Sequence, residues 1–515
     1  MQLTQGLHRS VQQTPDGIAT IFQERVRTFA EHRDRVAKLA GALHGLGIAE
    51  GDRVGILSLN SDRYLEVVTA AVWAGGVINP VNVRWSPVEI SYSLDESGTT
   101  VLFVDDAFAP MVPKLQELQR SLSTVVFTGD GERPDGLLDY EALLEAADPV
   151  PDAERHGDDL AGLFYTGGTT GFPKGVMLSH ANLMVSALGS QATFPFVVPG
   201  GRLLHAAPMF HLADLCAWLG QSVVGGTHVI LPMFEPTAVL GAIQEHGVTN
   251  ALLVPTMIQM LVDHPAVADH DLSSMQVILY GASPITAAVL ERAMKAFPQA
   301  DFVQAYGMTE LAPVATLLTP TDHQDPEKAR SAGRATAHSQ VKIVDEAGVE
   351  VPRGEVGEVV VTGGHVMLGY WQKPEETAAA IRDGWMHTGD GGRMDADGYV
   401  YIVDRIKDMI ISGGENVYST EVENAVSKHP DVAACAVIGV PDDEWGERVH
   451  AVIVPIEGTT PTLEAIREHA KELIAGYKCP RSMELIVALP VSGAGKVLKR
   501  ELRAKYWDDS DRSVH

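Results

Sequence analysis

The sequence predicts an α/β protein. The expected architecture is a large N-terminal domain of parallel and mixed sheets flanked by helices, with a small barrel-like subdomain, followed by a small α+β C-terminal domain. Three observations carry this. The 515-residue length exceeds what one hydrophobic core organises, so at least two domains are expected. Over the first 150 residues, helical and extended patterns alternate, as they do where helices cover parallel strands. Beyond Gly357 the texture turns β-rich with glycine turns, and past Arg405 it becomes a compact α+β pattern long enough for one small domain.

The elements follow in order. Phe29 to Leu46 places Val36, Leu39, Ala40 and Leu43 at helical spacing, and Gly47 offers a stop. Arg53 to Leu57 reads as a short buried strand, Asp62 to Ala74 as a helix, and Val77 to Val81 and Val101 to Val104 as strands. The alternation continues through Gly200 to His228 and Asn250 to Val277. Strands ending near Leu253, Tyr280 and Tyr306 close on residues suited to a ligand crevice, since open α/β sheets bind at strand carboxyl ends. Gly357 to Thr362 and Val400 to Val403 supply the barrel-like subdomain. The domain boundary is expected at residues 1–404 and 405–515, with a hinge near Arg405 to Lys407.

Composition narrows the function classes. Hydrophobic content of 45% and charged content of 21% are those of a globular protein without membrane spans. A net charge of −28, from 39 basic and 67 acidic residues, excludes a nucleic-acid footprint and disfavours an anionic membrane. Leu215 to Phe234 lacks Lys, Arg, Asp and Glu, but Gln221, Ser222, Gly225, Gly226 and Pro232 resolve it into a buried helix, a turn and a strand. Cys216, Cys435 and Cys479 are far apart and form no C-x-x-C pair, which fits a reducing compartment. The opening M-Q-L-T-Q-G-L-H-R-S lacks the apolar core of a secretion signal, so the expected location is cytoplasmic. A homodimer is the assembly this reading admits.

The chemistry concentrates in six segments. Phe164 to Val176 reads F-Y-T-G-G-T-T-G-F-P-K-G-V, with an apolar run before it and a helix-like segment, Val176 to Leu188, after it. Glycines let backbone N–H groups crowd around phosphate oxygens, threonine hydroxyls add donors, and Lys174 adds a point charge. It is not a Walker A loop, because Lys174 stands between Pro173 and Gly175. An ordinary glycine-rich hairpin is the plainer alternative. Gln304 to Glu310, Q-A-Y-G-M-T-E, ends a predicted strand; its Tyr can stack on a purine and its Glu can hold Mg²⁺. Asp390, at the glycine turn W-M-H-T-G-D, can accept from ribose hydroxyls. The other three are Asp404 to Asn416, Pro490 to Lys496 (P-V-S-G-A-G-K), and Pro208 to Asp214 (P-M-F-H-L-A-D).

In order and spacing these segments resemble the adenylate-forming superfamily, and within it the acyl-CoA synthetases and fatty-acid–CoA ligases that release AMP. The resemblance runs from about residue 5 to residue 505. It implies ATP, Mg²⁺ and CoA as cofactors, with a carboxylic acid as substrate. The phosphate loop is then Thr166, Gly167, Gly168, Thr169, Thr170, Gly171 and Lys174, with Gly167 where Ser is commoner. The adenine-lining loop is Gly281, Ala282 and Ser283, continued by Gln304, Ala305, Tyr306, Gly307 and Thr309. Glu310 and Thr170 are the implied metal ligands, and Asp390 and Arg405 the ribose contacts. Lys496 reaches the carboxylate and α-phosphate, so the implied catalytic set is Lys496, Glu310, Thr309 and Lys174. Ala494 departs from the usual Thr before Gly-Lys.

The family's small domain is mobile, which implies Lys407 as its pivot and Gly413, Gly414 and Glu415 as the loop meeting CoA. Plant coumarate–CoA ligases carry Lys where this chain has Ile411 and Gly413, so their CoA contacts do not transfer. The acid pocket is assigned to His211, Ala213, Ala217, Leu279, Gly307, Pro313 and Val314. Small Ala213 and Gly307 leave room, and nothing cationic awaits a second carboxylate, so a medium- to long-chain fatty acid is favoured over an aryl or phenylpropanoid acid. Asp214 is unusual beside an apolar tunnel, and its role is open. Rival readings are an adenylation enzyme serving an acceptor other than CoA, and a nucleotide sensor. A sensor need not retain Lys174, Glu310, Asp390, Arg405 and Lys496 together.

Overall fold

The computed structural model describes residues 1–166, 173–283, 285–405, 408–412, 415–442, 445–491 and 497–507, with the backbone alone at Arg405, Glu415 and Asn416. The chain forms two compact units. One comprises Met1–Val341 with Val361–Met386, and the other Lys342–Val360 with His387–His515.

The first unit is built on two sheets. In the larger, the strands Asp301–Tyr306, Val277–Gly281, Asn250–Leu253, Arg202–His205, Thr227–Ile230 and Ile18–Phe22 lie side by side and parallel. Antiparallel strands close its edges: Arg25–Thr28 at one, Thr316–Leu318 and Arg334–Ala335 at the other. The β alternation then sorts side chains onto two faces. Ile278, Tyr280 and Phe302 join one core with Leu204, Val229 and Ile258. Val277, Leu279 and Val303 join another with Ala217, Leu252 and Val314.

The second sheet runs Gly369–Tyr370, Lys174–Ser179, Leu160–Thr166, Val77–Pro80, Arg53–Leu57, Val101–Val104, Thr124–Phe127 and Leu138–Asp139. Helices of this unit begin where the sequence supplies caps. Thr28 accepts from Glu31 N, and the Glu31 carboxylate accepts from Thr28 N at 2.8 Å, a reciprocal pair that starts Phe29–Gly45. The charge-free stretch resolves as expected into the helix Leu212–Val224, a left-handed Gly225 and the strand Thr227–Ile230. Among the described residues no helix is long and apolar enough to cross a membrane.

One expectation fails. Val176 to Leu188 is not helical throughout: Lys174–Ser179 is a strand, and the helix is His180–Thr193. The strand pairs antiparallel with Leu160–Thr166, Thr166 facing Lys174, so two hairpin arms flank the glycine-rich segment. Partner hydrogen bonds outweigh the weak local preference of G-V-M-L. Ser179 then caps the helix by accepting from Asn182 N.

The strands Gln340–Val344, Val356–Thr362, Trp385–Met394 and Val400–Arg405 pair in that order. A further sheet is dominated by the long antiparallel pair Val432–Asp442 and Gly446–Pro455. Ile410, Val422, Val437, Val449, Ile453 and Ile466 fill its core. Asp404 accepts from Ser419 N and Oγ, at 2.5 and 2.6 Å, and so caps the helix Ser419–Val426 from outside it.

Candidate functional site

The nucleotide segments of the first unit sit on adjacent strand ends. Tyr280 faces Gln304 and Gly281 faces Ala305 in the parallel register. A Cβ on Gly281 would overlap the Ala305 carbonyl oxygen, so only glycine permits this approach. Ala282 follows in the left-handed region at φ 66°, where a larger side chain is strained further. Tyr280 is buried, and its hydroxyl lies 2.8 Å from His323 Nε2. Ala282 is exposed, while Ser283, Gln304, Ala305 and Tyr306 are half-buried.

Gly307 continues the Val303 and Ala305 side of the strand, which faces the second apolar core. Its missing Cβ is not matched by open space: a Cβ there would overlap the Pro313 carbonyl oxygen and press on Ala315 N at 3.0 Å. The same crossing is tied by Ala315 N donating to Tyr306 O at 2.8 Å. Gly307 therefore lets two chain segments touch.

Thr309 opens a short 3-10 turn that carries Glu310. The Glu310 carboxylate is buried and accepts from the Tyr370 hydroxyl at 2.9 Å. The Lys174 ammonium lies 5.1 Å from the centre of the same Tyr370 ring. Burial, and then the Glu310 charge, push the Tyr370 phenol well above its ordinary pKa, so it remains a donor. Two residues singled out from distant segments thus meet on Tyr370, which lies in none of the six segments. Its signal was the G-Y-W-Q-K-P-E-E-T segment itself. Glu310 suits a Mg²⁺ site in donor chemistry, being a buried carboxylate. Its other proposed ligand, Thr170, lies outside the described residues, as do Gly167, Gly168, Thr169 and Gly171.

The acid-pocket residues assemble in part. Ala217, Leu279 and Val314 belong to one buried cluster, with Ala213 and Ala305 packed against it. His211 precedes the first turn of Leu212–Val224, its ring 4.1 Å from that of Phe210, and Pro313 is half-buried nearby in sequence. Asn60, which no motif flagged, holds this segment: its amide donates to Ala207 O at 2.9 Å and its carbonyl accepts from Met209 N at 2.8 Å.

Asp214 turns away from the pocket into the protein. Its carboxylate lies 2.7 Å from His205 Nδ1, His205 Nε2 lies 3.0 Å from His228 Nδ1, and His228 Nε2 lies 3.3 Å from Ser222 Oγ. Burial drives His228 well below the ordinary histidine range, so it is neutral.

In the second unit Asp390 and Arg405 are register partners across an antiparallel pair. Asp390 is 8% exposed, and its N–H donates to Thr388 Oγ1 at 3.1 Å. Gly389 makes the turn at φ 70° while its N–H donates to Glu358 at 3.0 Å. Glu415 lies on the strand Glu415–Val417. Lys407, Gly413, Gly414 and Lys496 lie outside the described residues.

Comparison with known proteins completes the description. The AMP-binding enzyme family matches residues 7–371, and its C-terminal domain family matches residues 421–496. A feruloyl-CoA synthase of an Amycolatopsis species is 40% identical over 97% of this chain and 98% of its own. A medium/long-chain-fatty-acid–CoA ligase of Mycobacterium tuberculosis is 36% identical over 93% of this chain and 86% of its own. The crystal structure of ATP-bound MatB from Rhodopseudomonas palustris superposes with a TM-score of 0.88 at 30% identity, covering 98% of this chain and 99% of that one.

Proposed function

Because this chain belongs to the AMP-binding enzyme family of the adenylate-forming superfamily, we propose that it is an AMP-forming acid–CoA ligase. A carboxylate oxygen attacks the α-phosphorus of ATP, the bond to the bridging oxygen breaks, and pyrophosphate leaves an acyl-adenylate. The CoA thiol, losing its proton, then attacks the acyl carbon and AMP departs. The first step makes an electrophile of a carboxylate, which is otherwise a poor one. The protein's task is positioning and charge stabilisation.

The observation that carries this reading is the face-sorting at Asp301–Tyr306: the strand continuing into the nucleotide motif backs directly onto the apolar cluster of Ala217, Leu279 and Val314. An acid lodged there would present its carboxylate at the strand end. Lys174 and the phosphate-loop N–H groups hold polyphosphate, Ala282 and Tyr306 line the base, and Asp390 and Arg405 take the ribose. Glu310 with Thr170 would hold Mg²⁺, which neutralises phosphate charge when bound. Lys496 reaches the reacting carboxylate and α-phosphate. Residues 405–515 act as a moving domain against residues 1–404, pivoting at Lys407 and bringing Gly413, Gly414 and Glu415 to CoA. Compactness groups the chain differently, but a pivot is defined by where dihedrals change.

For the acid, the apolar lining supports a medium- to long-chain fatty acid. The 40% identity to a feruloyl-CoA synthase favours a second reading, an aryl or phenylpropanoid acid. Acid-dependent pyrophosphate release, scored over octanoate, laurate, palmitate, ferulate and coumarate with and without CoA, separates them. Acyl-CoA from the fatty acids supports the first reading and feruloyl-CoA the second. Pyrophosphate release with no acyl-CoA points to another acceptor.

A further inference from the structure

We propose that Tyr370 is a positioning residue for adenylation, setting the Glu310 carboxylate and the Lys174 ammonium in register with one another; this rests on the ligase reading above. The two charged groups arrive on different sheets. Glu310 follows the strand Asp301–Tyr306 of the larger sheet, and Lys174 begins the edge-proximal strand of the other. The Tyr370 ring meets both, its hydroxyl 2.9 Å from Glu310 Oε1 and its ring centre 5.1 Å from Lys174 Nζ.

The backbone around Tyr370 is built to hold that ring. Gly369 and Tyr370 pair antiparallel with Met177 and Val176. The bonds Leu368 N to Met177 O at 3.0 Å and Trp371 N to Gly175 O at 2.8 Å extend the contact toward Lys174. Gly369 has φ 141°, and a Cβ there would stand 2.7 Å from Thr377 Cγ2. The glycine thus admits Thr377, whose hydroxyl accepts from Tyr370 N at 2.9 Å and donates to Lys373 O at 2.8 Å. From the other side Met367 N donates to the Glu310 carbonyl at 2.9 Å, fixing the Glu310 backbone to the same segment. The Trp371 indole anchors the turn on Glu96 O at 3.0 Å. Main-chain bonds, the Thr377 hydroxyl and the Trp371 indole together locate Tyr370, and its ring reaches from one sheet toward the other. An aromatic face attracts an ammonium while a phenol donates to a carboxylate, so one rigid ring orients two opposite charges.

Two variants separate the functions of the ring. Tyr370→Phe removes the hydroxyl and keeps the ring face for Lys174; Tyr370→Leu removes both. Acid-dependent ATP–pyrophosphate exchange reports adenylation, conversion of supplied acyl-adenylate and CoA reports thioester formation, calorimetric titration reports ATP binding, and thermal unfolding reports the fold. In Tyr370→Phe we expect the adenylation kcat to fall roughly ten- to hundredfold, the scale of one hydrogen bond to a charged group. The acid KM and thioester formation should stay within about twofold, because the acid pocket and the second half-reaction use other residues. In Tyr370→Leu a further fall of about three- to tenfold is expected, with weaker ATP binding, from loss of the ring face.

The proposal is overturned if Tyr370→Phe exchanges pyrophosphate at the wild-type rate, or if both half-reactions fall together with the unfolding midpoint. Should Tyr370→Leu fail to fold, the isosteric Tyr370→Phe decides alone. A wild-type protein with no acid-dependent exchange removes the ligase reading and this proposal with it, whereas an active wild type and an indifferent Tyr370→Phe remove the proposal alone.

Discussion

Asp214 Oδ2 lies 2.7 Å from His205 Nδ1, and both side chains are shut away from solvent. The contact ties the first turn of Leu212–Val224, which carries Ala213 and Ala217, to the strand Arg202–His205. Through His228 the chain of contacts reaches Ser222, near the other end of that helix. The helix that the proposed acid pocket uses as a wall is therefore clamped at both ends by a buried polar line.

Asp214→Ala leaves a buried His205 nitrogen without its partner. The expected cost is about 1–3 kcal/mol, the desolvation penalty of an orphaned polar group, read as a lower urea midpoint. The acid KM should rise while the ATP KM holds, since the loosened helix lines only the acid side. Asp214→Asn, which keeps an acceptor of the same shape, should lose less. An unchanged midpoint in Asp214→Ala would remove the clamp.

The sequence places Gly307 in the acid pocket, where its missing side chain leaves room. Its Cβ direction is filled by the Pro313 carbonyl instead. Gly307→Ala should therefore lower turnover of short and long acids alike, by separating Tyr306 from Ala315. A shift in preferred chain length without a general loss would restore the tunnel assignment.

Stability should fall as pH drops from about 6.5. Burial lowers His365 to about 3, and His180 and His450 to about 4, from an ordinary value of 6.5. Each histidine's contribution is complete above its unfolded pKa. It is lost progressively below it, because there the unfolded chain takes up protons that the folded chain refuses. Urea midpoints at pH 7.5 and 5 should differ, lower at 5. His365→Gln, which preserves the bond of Nε2 to Ser339 Oγ at 3.2 Å, should flatten the slope. Equal midpoints at the two pH values contradict the assignment.

Lys496→Ala should suppress adenylation on the order of 10²–10³-fold, the scale for one group stabilising transferring charge. Conversion of supplied acyl-adenylate and CoA should persist, because the proposed mechanism withdraws the lysine before that step. Equal loss of both half-reactions in a folded variant rules out the two-pose account.

Lys407→Pro should give the opposite split. Proline fixes φ near about −65° and removes an N–H, so a residue whose dihedrals must change can no longer swing. Acyl-adenylate should form and accumulate, with thioester formation lost. Wild-type conversion of acyl-adenylate to acyl-CoA would place the hinge elsewhere.

The sequence by itself determined the α/β class, the elements at Phe29 to Leu46, Arg53 to Leu57, Asp62 to Ala74, Val77 to Val81 and Val101 to Val104 to within a residue, and the segments around Lys174, Glu310 and Asp390. Caps, apolar periods and motif spacing are local properties, and local reading suffices for them. Only the tertiary structure made Lys174–Ser179 a strand, because a short apolar run takes the conformation its neighbour can hydrogen-bond. Only the tertiary structure joined Lys174 to Glu310 through Tyr370, aimed Asp214 at His205, and filled the space beside Gly307 with Pro313. Each of these depends on where a side chain points once segments far apart in the chain are packed, and that direction is set by the packing of partners that no local window contains.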